Sequence, residues 1–106
     1  MIEFSDIMAI DTDHFELVEI REFFIVLHSR STGHDWHLLE REANGHRTFL
    51  ISHRHNTTAP FHPQKSRPSI EACCEYIKSH DSYQIKKNRK REARRRQRIL
   101  AKYNRN

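Results

Sequence analysis

Glycine and proline are scarce in this chain, with two glycines and three prolines among 106 residues. That excludes collagen-like, glycine-linker and proline-rich low-complexity architectures. Cysteine occurs only as the adjacent pair Cys73-Cys74. Neighbouring thiols at helical spacing cannot staple a fold, so a disulfide scaffold is excluded and a reducing, cytoplasmic setting is expected. No apolar run approaches the roughly 18–20 residues that a spanning helix needs. The opening MIEFSDIMAIDTDHFE is acidic, unlike the basic and then apolar start of a secretory leader. No membrane partner is expected. There is no G-x-S-x-G elbow, phosphate-binding glycine loop, H-E-x-x-H or C-x-x-C spacing. A non-enzymatic protein is therefore expected, with no catalytic residue, cofactor or metal assigned.

What is present is charge, unevenly placed. The net charge of +5 conceals eleven Lys or Arg against the single acid Glu92 from Lys86 to Asn106, a local +10. The body from Met1 to Ile85 holds eight basic and thirteen acidic side chains, a net −5. Seven of those acids (Glu3, Asp6, Asp11, Asp13, Glu16, Glu19 and Glu22) oppose only Arg21 between Met1 and Glu22. Such asymmetry bears on partners rather than on fold.

The length allows one domain at most. Residues 1–16 read as an acidic arm or short helix. LVEIREFFIVLH, residues 17–28, is branched and aromatic, and its run Phe23–Leu27 predicts a strand covered on both faces. Ser31-Thr32-Gly33 marks a turn and Asp35 to Glu42 a second strand. Asn44-Gly45 is the strongest local signal, because both residues tolerate the positive φ of a type I′ hairpin. With that loop, Ala43 faces His46, Leu38 faces Ile51 and Trp36 faces His53. Trp36, Leu38, Phe49 and Ile51 then share the core face, opposite His37, Leu39, Arg41, Thr48, Leu50 and Ser52. Residues 54–68 contain all three prolines and predict an exposed, semi-extended loop. Ser66 or Ser69 can cap the helix that follows, in which Ile70, Cys73, Cys74 and Ile77 form one apolar stripe. A stop or kink is expected near His80-Asp81-Ser82, and then a second helix of strong helix formers. The expected fold is α+β: a three-stranded antiparallel meander packed by one or two helices as a body over 1–82, with a basic helical tail over 83–106.

Chemistry concentrates in that tail. Lys86, Lys87, Arg89, Lys90, Arg91, Arg94, Arg95, Arg96 and Arg98 lie within thirteen residues. Wound as a helix they occupy most of its circumference, and a polyanion would neutralise their mutual repulsion. Arginine adds bidentate phosphate forks and stacks on bases. Contact with nucleic acid is the leading reading. An acidic protein surface, or the acidic arm of the same chain, is the alternative partner. In the proline loop, Phe61, Pro63, Arg67 and Pro68 are candidate protein-binding residues, since aromatic and arginine side chains on a stiff backbone make good anchors. Nine histidines raise the question of a metal. His34 and His37 flank Trp36, and the H-x-H of His53 and His55 would put both rings on one strand face. Zinc needs three or four converging ligands, and without such a set surface histidines are expected.

The stretch RKREARRRQR resembles the arginine-rich motifs with which lambdoid phage antitermination proteins grip RNA hairpins. The compact size, acidic body, prolines 60, 63 and 68 and this tail together resemble the Abc-type anti-RecBCD proteins of lambdoid phages. That resemblance implies a non-enzymatic accessory protein that binds the host recombination complex on its RecC subunit and helps channel single-stranded DNA to a phage recombinase. The alternative is an RNA- or DNA-binding regulator acting through the arginine-rich helix alone.

Overall fold

The computed structural model describes residues 1–104. Its elements are α1 (Phe4–Met8), β1 (Phe15–Ile20), β2 (Phe24–Ser29), β3 (Asp35–Ala43), β4 (His46–Arg54), β5 (His62–Arg67) and α2 (Ile70–Tyr103). The strands form one antiparallel sheet in chain order, and α2 packs on one face of it. The class is α+β as expected, but the meander has five strands rather than three.

The central hairpin follows its turn chemistry. Asn44 and Gly45 have φ of 53° and 75°, and the register pairs Ala43 with His46, Leu38 with Ile51 and Trp36 with His53. Trp36, Leu38, Phe49 and Ile51 are all fully buried. With Phe15, Ile25 and Leu27 they meet the helical stripe Ile70, Cys73, Cys74 and Ile77. Each fully buried side chain of this size contributes roughly 1.5–3 kcal/mol.

Both extra strands come from segments that carry a misleading signal. LVEIREFFIVLH is two strands, not one. The chain reverses at Glu22-Phe23, where the Arg21 amide donates to the Phe24 carbonyl at 2.9 Å. None of these residues has positive φ, so the turn needs no Gly or Asn. On the sheet's outer face, Val26 is nevertheless buried. The proline segment also becomes a strand where a loop was expected. Pro63 pairs with Ser52 next to a register shift between Ile51 and Ser52. A proline is tolerated there because an edge strand with a bulge leaves its missing N–H unneeded.

Ser69 caps α2, its hydroxyl accepting from the Ala72 amide at 3.1 Å. The expected stop at residues 80–82 does not occur, and α2 runs unbroken for 34 residues. Asp81 does not cap. Its carboxylate is taken by tertiary partners, His14 and Thr32, and no Gly or Pro interrupts the segment. The expected tail is therefore the outer part of one helix, and its last two positions, 105 and 106, lie outside the described residues. Among the described residues no helix is long and apolar enough to cross a membrane.

Trp36→Ala should cost about 3–5 kcal/mol in urea unfolding. Ser69→Ala should cost about 1 kcal/mol through the lost cap. Asn44→Pro should destabilise the hairpin, since the proline ring locks φ at a negative value and the turn requires a positive one. An unchanged melting temperature for Trp36→Ala would contradict the core described here.

Candidate nucleic-acid interface and histidine cluster

Several acidic side chains of the body already have basic partners within it. Arg47 grips Asp6 with a two-point fork, Nη1 to Oδ1 at 2.9 Å and Nη2 to Oδ2 at 2.6 Å, and also donates to Glu40. The Arg47 guanidinium holds the Asp6 carboxyl below its usual range. Lys78 reaches Asp11 at 2.8 Å. On the outer face of the sheet, buried Asp35 accepts from His28 at 2.7 Å and Arg54 at 2.8 Å. Asp6 and Asp11 of the acidic arm are thus paired with body residues and not with the basic tail.

The tail is correspondingly free. Every described residue from Lys86 onward is exposed, and the molecule measures 67 × 26 × 24 Å. Residues 83–103 of α2 alone span about 30 Å at 1.5 Å per residue. Among the described residues the tail's one ion pair is internal, Arg96 to Glu92 at 3.7 Å. The helix also sorts its charge. At about 100° per residue, Lys87, Lys90, Arg91, Arg94, Arg95, Arg98 and Lys102 fall within one arc of about 140°. Arg89 and Arg96 lie on the opposite side with Ile85, Glu92, Ile99 and Tyr103. The sequence reading of charge around most of the circumference is right as a count but misses this row.

The four residues expected to bind a partner do not converge. The Phe61 ring lies on the outer sheet face, tilted against His37 at 5.6 Å with the Arg54 guanidinium 4.2 Å above it. Arg67 points to the helix side, over the Tyr76 ring at 5.2 Å. Pro63 and Pro68 are exposed.

A second constellation lies where α2 leaves the sheet. His34 and His53 are 8% and 5% exposed, a correction to the expectation of surface histidines. His34 Nδ1 and His53 Nε2 sit 2.9 Å apart and share a hydrogen bond. His80, from α2, brings a ring nitrogen to within 4.8 Å of both. The exposed His55 ring packs on His34 and His53, with centroids 4.7 and 4.8 Å away. Trp36 forms the floor, stacked on His53 at 4.2 Å and edge-on to His80 at 4.9 Å. Its Nε1 donates to Ser29 Oγ at 3.1 Å. Beside the cluster Asp81, 1% exposed, accepts from His14 Nε2 at 2.8 Å and Thr32 Oγ1 at 3.1 Å. The H-x-H at 53–55 was visible in the sequence. His80 gave no such signal, because it lies far along the chain from His53 and on another element.

Burial lowers the affinity of the His34 and His53 imidazoles for protons, and repulsion from neighbouring histidines when charged lowers it further. His34 is shifted down, and His53 falls from 6.5 to about 4. The buried thiols of Cys73 and Cys74, by contrast, are pushed up to about 12 and 11 and stay protonated in the apolar stripe. Among the described residues, His34, His53 and His80 bring donor atoms close enough together to hold a metal, and borderline dications favour such imidazole donors.

These shifts set a pH dependence. The unfolded chain protonates His53 near 6.5, the folded chain only near 4, so unfolding takes up a proton between those values. Stability is therefore complete above about pH 6.5 and falls as the pH drops toward 4, by on the order of 3 kcal/mol for His53. Urea midpoints at pH 7.5, 5.5 and 4.5 in EDTA check this. A midpoint independent of pH across that window would contradict the buried, neutral state of His53.

No family model, curated protein or solved structure matches this chain, so its chemistry rests on the geometry of its own residues.

Proposed function

We propose that this protein is a non-enzymatic nucleic-acid-binding accessory protein whose projecting helix grips phosphates through Lys87, Lys90, Arg91, Arg94, Arg95 and Arg98, flanked by Lys86, Arg89 and Arg96. The observation that carries this is the separation of charge. Nine basic side chains within thirteen residues stand exposed on a helix that extends from an acidic body, where Asp6, Asp11 and Asp35 pair with body cations. A single α-helix fits the major groove of B-DNA, and one basic arc can follow a strand of phosphates. Arginine forks also suit the grooves and loops of RNA.

The adaptor reading has its own support in the outer sheet face. There Phe24, His37, Leu39 and Leu50 are partly exposed around Phe61, a surface of the kind that anchors a protein partner. In that reading the body docks on a DNA-processing complex, such as the recombination complex implied by the phage resemblance, while the helix holds the nucleic acid. A nuclease-treated pull-down from bacterial lysate distinguishes a protein partner from nucleic acid alone.

Binding of duplex and single-stranded oligonucleotides should fall steeply with salt, with a log–log slope near −0.9 per duplex phosphate or −0.7 per single-strand phosphate neutralised. Substituting Arg91, Arg94 and Arg98 together by Gln should reduce the magnitude of the duplex slope by about 2–3. Arg89→Gln with Arg96→Gln should reduce it by less than about 1 if the row faces the ligand. Salt-insensitive binding, or binding unchanged without residues 86–106, would remove the nucleic-acid reading.

A further inference from the structure

We propose that His34, His53 and His80 form a zinc site, with His55 as its fourth ligand, that fastens the root of α2 to the sheet. The inference is independent of what the basic helix binds.

The donors come from three places that only the fold unites: the β2–β3 turn, the end of β4, and the eleventh residue of α2. One ring nitrogen from each of His34, His53 and His80 lies within 4.8 Å of the others, and the closest pair is 2.9 Å apart. Tetrahedral zinc with Zn–N of 2.0–2.1 Å requires donor separations of roughly 3.3 Å, between those two values. Closing the set therefore needs changes in donor separation of no more than about 1.5 Å. The hydrogen bond between His34 and His53 holds two nitrogens face to face, where a dication would replace the shared proton. His80 Nδ1 is buried without a hydrogen-bond partner, a costly state for a polar atom unless it serves another purpose.

The surroundings fit the charge of the ion. Asp81, the residue after His80 on α2, brings a buried carboxylate to 3.7 Å from His80 Nδ1. His14 and Thr32 hold it in place. A neutral set of imidazoles around a dication would carry +2, and the buried Asp81 carboxylate beside His80 offsets part of that charge. Imidazole donors select zinc, copper, nickel or iron over magnesium and calcium. Trp36 closes the floor of the cluster against water. The cysteines take no part, since both thiols lie in the apolar stripe between sheet and helix.

The test uses the whole protein after EDTA treatment, titrated with ZnCl2 while the emission of Trp36, the single tryptophan, is followed. One equivalent should bind with Kd of about 1 μM or tighter. The melting temperature should rise by roughly 5–10 °C at saturating zinc, and MgCl2 should do neither. His80→Gln should weaken zinc binding about 100-fold or more, and the exposed His55→Ala about 10-fold, whereas His62→Ala should have no effect. The unmutated protein supplies a check that does not depend on variants folding, because Co²⁺ should give the intense visible bands of a tetrahedral nitrogen site. Absence of those bands together with unchanged Trp36 emission would overturn the site. Undiminished zinc binding by His80→Gln would overturn it equally, and undiminished binding by His55→Ala would remove His55 from the set.

Discussion

Asp81 is a carboxylate with 1% of its surface in contact with solvent, and a buried charge persists only where paired and hydrogen-bonded. His14, just before β1, and Thr32, in the β2–β3 turn, supply the donors. One side chain thus joins the first strand, a central turn and the helix at the point where the helix departs from the sheet. The apolar stripe Ile70, Cys73, Cys74 and Ile77 sets the helix on the sheet. The next turn, where core packing gives way to solvent, is held by polar contacts of Asp81. Losing either donor would leave a charge in a dry site, at greater cost than an exposed ion pair.

The same pairing of charges explains the contrast between the two halves of the chain. Arg47, Lys78 and Arg54 draw Asp6, Asp11 and Asp35 into the body. None of these acids is left to fold the basic segment back onto the sheet. Arginine and lysine side chains beyond Ile85 keep their hydration and their repulsion. That repulsion keeps the segment soluble and extended, and an incoming polyanion would relieve it.

Legibility in the sequence tracked whether a signal was local. Asn44-Gly45 determines its own backbone, so the hairpin register and the core face of Trp36, Leu38, Phe49 and Ile51 could be read from a dipeptide and an alternation. The Ile70–Ile77 stripe was legible because helical spacing needs only neighbours. The β1–β2 turn was not, because Glu22-Phe23 reverses the chain without glycine, proline or positive φ inside an unbroken β-forming run. The strand His62–Arg67 was hidden by Pro63, whose usual meaning changes at a bulged edge. The continuity of α2 through Asp81 and the gathering of His34, His53 and His80 are both tertiary. An aspartate that would cap in isolation instead turns to His14 and Thr32, and no spacing rule connects the β2–β3 turn to a distant turn of α2. The charge row on α2 was legible in the sequence, because it lies wholly within the helical tail expected over 83–106.

That continuity gives the molecule a phase as well as a length. With no glycine or proline between Ile70 and Tyr103, the helix has no built-in joint. The azimuth of the basic row around its axis is therefore set, relative to the outer face of the sheet, by the residue count between the Ile77 anchor and Lys87. One residue more or fewer would turn the row by about 100° and shift it by about 1.5 Å. The spacer works like a splined shaft, so that whatever holds the row also dictates which way the sheet faces.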